Sequence, residues 1–180
     1  MHIESIILLV IVVVGGAEVL ASYVLGLRGS SGGSNALWGG VPARVRPAYV
    51  VSMVLSVVGY FAVLYYLFFK LVPGEVVIGG RLGFALFYPI LLLILVPSAL
   101  WMPLTSRYLK DPGTGRWIAV RSVLFIVGLA SIALVWALFA LEPRQNGAAY
   151  WLAVAGSGYF ALHTFILDAI LWAALSKRRA

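Results

Sequence analysis

Five apolar runs decide what this chain can become. Ile3–Leu27, Pro47–Val72, Leu82–Thr105, Trp117–Leu141 and Ala148–Leu175 are each longer than the roughly 20 residues a helix needs to cross a bilayer. Transmembrane strands would be about 10 residues long and would alternate apolar with polar positions. These runs do neither, so the expected fold is an all-α membrane protein, a single transmembrane domain over residues 1–180 built as a five-helix bundle. The composition leaves no soluble alternative. Hydrophobic residues make up 63% and charged residues 11% of the 180, against about 45–50% and about 25% in soluble domains. Such a chain has too little polar surface to cover its own core. The first run does not read as a cleaved signal peptide, because it lacks a basic start, carries Glu4 and Glu18, and is too long.

Charge orients the bundle. Five spans place the first loop, the third loop and the C-terminus on one side, with Arg28, Arg44, Arg46, Arg107, Lys110, Arg116, Lys177, Arg178 and Arg179. The opposite side has Lys70, Arg81 and Arg144. The positive-inside rule then predicts an N-terminus outside and a C-terminus in the cytoplasm, in a prokaryotic cytoplasmic membrane. Arg121, one turn into the fourth run, snorkels to the same basic face. Loop bias of this kind accounts for the net charge of +7 without a nucleic-acid partner.

The second, third and fourth connections are short turns. The first, RGSSGGSNALWGGVPARVR over residues 28–46, is longer, flexible at its Gly/Ser-rich start, and carries Trp38 before Pro42 and Pro47. Long loops in compact folds are either binding loops or slack linkers; here the expectation is a lid over the helix ends, with Trp38 as its plug.

Ionisable groups inside the bilayer are costly and mark functional sites by default. The candidates are Glu18, His163 and Asp168. On an α-helix, positions 163 and 168 lie about 140° apart, so the spacing predicts that they do not share a face. Asp168 instead aligns at four-residue steps with Phe160, Thr164 and Trp172. At 1.5 Å per residue, Asp168 and Glu18 lie roughly 10 and 14 Å in from the cytoplasmic end, with His163 deeper. Tyr49, Ser52 and Ser56 on the second span and Ser98 and Trp101 on the third fall in the same half. Serines often bond their own helix carbonyls, and tryptophans often form an interfacial belt. Taken with the long loop, the collection predicts a cytoplasmic-side pocket. A stripe of small residues, Ala149, Ala153, Ser157 and Ala161, permits close helix approach, either within the bundle or at a dimer seam.

The chain has no cysteine, and its two histidines, His2 and His163, stand at opposite ends. Neither a metal set nor a nucleophile–base pair points to an enzyme.

Two segments carry a family likeness: SALWMPLTSRY from Ser98 and FALHTFILDAILW from Phe160. With five helices and a long first loop, they resemble the translocator protein / tryptophan-rich sensory protein family, also called peripheral benzodiazepine receptors. In that family's third-helix pattern, N-x-x-W-x-P, Trp101 and Pro103 match and Ser98 stands in place of Asn. On the fifth helix Phe160 replaces a Trp, and Leu167-Asp168 replace a Leu-Asn pair. The resemblance implies a homodimer that binds flat hydrophobic molecules, a porphyrin as ligand or a sterol-like lipid, in a pocket beneath the first loop. With Phe160 in place of Trp, porphyrin photodegradation is not carried over. Sterol-type patterns at Leu104–Lys110 and Val63–Lys70 are too weak to add weight.

The expected ligand-binding residues are therefore Trp38, Tyr49, Ser52, Ser98, Trp101, Phe160, Thr164, Asp168 and Trp172. The leading reading is a membrane-embedded binding protein for a hydrophobic ligand. The alternatives are a small proton- or cation-linked transporter with Glu18, His163 and Asp168 as relay groups, and a structural subunit of a membrane complex.

Overall fold

The computed structural model describes residues 2–29, 35, 37–144 and 147–176. The C-terminal cations Lys177, Arg178 and Arg179, and residues 30–34 and 36 of the first loop, lie outside the described residues.

Among the described residues, five helices are long and apolar enough to cross a membrane: α1 (Ile3–Gly29), α2 (Arg46–Phe69), α3 (Phe87–Lys110), α4 (Thr114–Phe139) and α5 (Ala148–Ser176). The protein is an all-α bundle with the apolar exterior of an integral membrane protein. Pro47 enters α2 in its first turn, where a missing N–H costs nothing. The third helix is displaced from the expected Leu82–Thr105. Gly79 and Gly80 turn the chain at φ +59° and +73°, a region open to glycine, and Ile78 bridges Leu82, so the helix starts only at Phe87. It then continues to Lys110, where Asp111 leaves helical geometry ahead of Pro112.

The turn before α3 also carries β1 (Val77–Ile78), which pairs antiparallel with β2 (Leu141–Glu142). This ladder, too short to register in the sequence pattern, fastens the second loop to the fourth.

Neighbouring faces run in the order α1, α3, α4, α5, α2; α1 and α2 share no comparable face. Only 17% of the most apolar stretch of α1 is buried, which reflects attachment along one side. At the α2–α5 crossing two glycines bring the backbones together. A Cβ added to Gly59 would lie 2.8 Å from Gly156 Cα, and one added to Gly156 would lie 2.7 Å from Gly59 Cα. Ala153, Ser157 and Ala161 are buried beside it. The small-residue stripe is thus used for packing inside the bundle.

Two apolar clusters form the core. The larger, with Tyr66, Phe84, Phe87, Leu134 and Tyr150, lies toward the β-ladder end; the smaller joins Val41 of the first loop to Tyr108, Val120, Ala169 and Trp172.

Candidate functional site

The fifth helix changes pitch where its chemistry lies. Ala148–Ala161 is α-helical, Leu162–Trp172 is a π-helix, and Ala173–Ser176 returns to α. A π-helix bonds i to i+5, so residues five apart share a face. This overturns the expectation that His163 and Asp168 point apart: His163 Nε2 lies 3.6 Å from Asp168 Oδ2. The expectation rested on a pitch of 3.6 residues per turn, which this segment does not have. Its neighbours accommodate the wider turn. Phe165 crosses Gly128 of α4, where a Cβ would come within 3.0 Å of Phe165 Cα. On the α2 side, the Tyr49 hydroxyl donates to the Leu167 carbonyl.

A polar chain runs from α5 through α2 and back. Tyr159 donates its hydroxyl to Ser52 Oγ at 3.1 Å, and Ser52 Oγ lies 2.9 Å from His163 Nδ1. Ser52 Oγ thus bridges the Tyr159 hydroxyl and His163 Nδ1, and the other ring nitrogen, Nε2, is the one that faces Asp168. Thr164, one residue on, bonds Ser131 of α4 at 3.0 Å and the Phe160 carbonyl at 2.9 Å. Other serines satisfy themselves locally: Ser56 bonds the Met53 carbonyl and Ser98 the Ile94 carbonyl.

The described part of the first loop is packed, not slack. Trp172 Nε1 donates to the Leu37 carbonyl at 3.1 Å, and Arg46 Nε donates to the Val41 carbonyl at 3.2 Å. Val41 is 2% exposed. Gly39, at φ +56°, and Gly40 lie directly on the end of α5, where a Cβ on Gly40 would strike the Leu175 carbonyl. Trp38 packs edge-on against Tyr49 at 6.1 Å, beneath the Arg46 guanidinium.

These elements enclose a cavity of about 510 Å³ at the first-loop end of the bundle. Trp38, Tyr49, Ser98, Trp101, Phe160, Thr164, Asp168 and Trp172 all line it, as does His163. Ser52 stands behind the wall and reaches it through His163. Trp101 lies between Tyr23 and Trp172, each at 5.8 Å between ring centroids, and its buried Nε1 has no hydrogen-bond partner among the described residues. Sequence patterning does not single out Tyr23, Leu37, Met53 or Met102, all on the wall, or Tyr159 behind it. Tyr23 shares the depth of the expected pocket residues, and that depth was its available signal. The cavity wall also includes Leu20 of α1 and Val57 of α2, which are 70% and 50% exposed. The cavity therefore reaches the lateral surface between α1 and α2, the two ends of the helix order.

Glu18 does not join this site. It is exposed on α1 and lines a separate groove with Pro103, Ser106 and Lys110 of α3. Similar depth along a helix says nothing about azimuth, and Glu18 faces away. Among the described residues there is no group of three His, Cys, Asp or Glu side chains placed to hold a metal ion. Comparison with family models, curated proteins and solved structures returns no match for this chain.

Proposed function

We propose that this protein is a membrane-embedded binding protein for a hydrophobic ring ligand, porphyrin-like or sterol- and lipid-like, as the resemblance to the translocator protein family implies. The observation that carries the reading is the aromatic cavity of about 510 Å³, inside the ~300–1,000 Å³ range of small-molecule sites. Its wall combines indole, phenol and phenyl rings with a few polar groups, which supply stacking area and orientation respectively. The first loop serves as its cover, and the side between α1 and α2 gives access from the bilayer. In the same reading the basic loops face the cytoplasm of a prokaryotic cell, the N-terminus lies outside, and the protein works as a homodimer.

The test is equilibrium binding of octaethylporphyrin, a neutral ring, in nanodiscs. Trp101→Ala is expected to weaken binding about 10–30-fold, the loss typical of a buried aromatic anchor. Trp136→Ala, half-exposed and touching the glycine turn at the opposite end, should bind as the parent does. Unchanged affinity in a folded Trp101→Ala protein would remove the cavity from the ligand's path.

One observation favours a second reading. The chain Tyr159–Ser52–His163–Asp168 is the arrangement a proton relay needs, and a proton-linked transporter would use it. Glu18, in its separate groove, is then left out of the relay. Proton-coupled flux in liposomes, lost in Ser52→Ala, would support transport over binding alone.

A further inference from the structure

We infer that the cavity takes an organic cation: a ring-bearing or alkyl molecule with a protonated amine, quaternary ammonium or phosphonium centre, held by Asp168 against the aromatic wall. This rests on the reading that the cavity binds a hydrophobic ligand, and it names that ligand's charge.

Among the described residues, Asp168 is the one carboxylate that lines the cavity, and no lysine or arginine is on its wall. Its side chain is 32% exposed, although the residue stands in a membrane span. A carboxylate in apolar surroundings is costly unless paired. The partner at hand, His163 Nε2 at 3.6 Å, is long for a hydrogen bond. Ser52 holds that imidazole by its Nδ1 edge, and at this separation the ring makes no close ion pair with the carboxyl. Arg46, at the end of the first loop, is engaged elsewhere. Its donors go to the Val41 carbonyl and Asn35 Oδ1, and its plane lies over Trp38. Asp168 Oδ1 has no partner among the described residues.

The rings around this carboxyl complete the case. Trp38 and Tyr49 form one edge-on pair on the cavity wall, and Tyr23, Trp101 and Trp172 form a second group on it. Aromatic faces carry negative potential and hold desolvated cations, which is how aromatic cages bind quaternary ammonium. A carboxylate among such faces attracts a cation twice over. The same wall disfavours an anionic ring, whose charge would meet Asp168 without a compensating arginine among the described lining residues. The cation has two sources, a free molecule or the onium headgroup of a lipid that leans in between α1 and α2.

The experiment is competition in phosphatidylglycerol nanodiscs, with bound octaethylporphyrin displaced by tetraphenylphosphonium or by tetraphenylborate, its anion of like shape. The cation is expected to displace at about a tenfold lower concentration than the anion, and Asp168→Asn to reduce that preference to within about threefold. Asn keeps the side chain's size and removes its charge, and the cation-to-anion ratio is read within each variant, so a change in porphyrin affinity cancels from the comparison. Asp168→Glu should retain the preference. An anion that competes as well as the cation, or a preference that survives Asp168→Asn, overturns the proposal. Were Asp168→Asn not to fold, the cation-to-anion ratio of the parent protein would decide by itself. If the porphyrin does not bind the parent at all, the cavity reading fails separately. The charge proposal is then decided by dialysis of tetraphenylphosphonium against protein-free discs, with saturable excess binding supporting it and none refuting it. Adding phosphatidylcholine distinguishes the sources: loss of tetraphenylphosphonium binding identifies a lipid headgroup as the cation, and unchanged binding identifies a free one.

Discussion

Gly59→Val is expected to unseat α2 from α5 and to cost the folded protein about 3 kcal/mol or more, the upper end of overpacking penalties. The reason is the identity of the atoms in the way. A Cβ at position 59 lies 2.8 Å from the Cα of Gly156 and 2.9 Å from its carbonyl carbon. Neither can swing aside as a side chain would, so relief requires the two helices to part. Membrane helices depend on close packing for association, because lipid tails are as apolar as the helix surfaces. The damage also reaches the site, since α2 holds Ser52 and Tyr49 in register with His163 and Leu167 of α5. Gly158→Val is the matched control, on the partner helix α5 but with nothing within 4 Å of the added Cβ. Thermal unfolding in detergent should separate the two variants clearly. Equal midpoints would mean that the crossing is looser than these distances require.

The spans and the pocket were legible for different reasons. Helix number follows from the length of the apolar runs, which lipid enforces strictly because every backbone group must be bonded within its own segment. Helix ends are set by finer forces. The start of α3 depends on two glycines at positive φ and on a two-strand ladder between loops distant in sequence, and hydropathy carries no trace of either. Trp101, Phe160, Thr164, Asp168 and Trp172 could be placed on one wall because polar and aromatic residues inside a span need an interior reason. Tyr49 joined them by its depth on the second span, and Trp38 through the length of the first loop.

Azimuth was the weak coordinate. Depth put Glu18 beside Asp168, but α1 turns Glu18 outward to a different groove. The π-helical pitch of Leu162–Trp172 left no mark in the residues themselves, since HTFILDAILW contains neither proline nor glycine. The contacts that accompany it, Gly128 beneath Phe165 and the Tyr49 hydroxyl on the Leu167 carbonyl, come from other helices. A pairing that depends on two neighbouring spans cannot be read from one. The consequence is chemical: the same five-residue spacing that separates an imidazole from a carboxylate on an α-helix joins them here.

The first loop provides the other large expected effect, and it is kinetic. Gly40→Val should speed both binding and release of octaethylporphyrin by about tenfold each, the rate change for some 1.4 kcal/mol off a barrier. Gly40 rests against the last turn of α5, and a Cβ there would lie 2.8 Å from the Leu175 carbonyl carbon. To relieve that clash the loop must lift from α5. Lifting it draws the Leu37 carbonyl from Trp172 Nε1 and pulls Val41 out of the smaller core cluster. A cover that is loosened without losing ligand contacts lowers the barrier in both directions, so affinity should move little. Trp38→Ala acts differently. The loop keeps its ties through Trp172, Arg46 and the two glycines, but the cavity loses the ring that closes it beside Tyr49. Release should then accelerate more than binding, and affinity should fall accordingly, as interface truncations usually act through dissociation. Stopped-flow fluorescence in nanodiscs measures both rates. Parent-like rates in both variants would make the loop a linker and leave the space between α1 and α2 as the ligand's route.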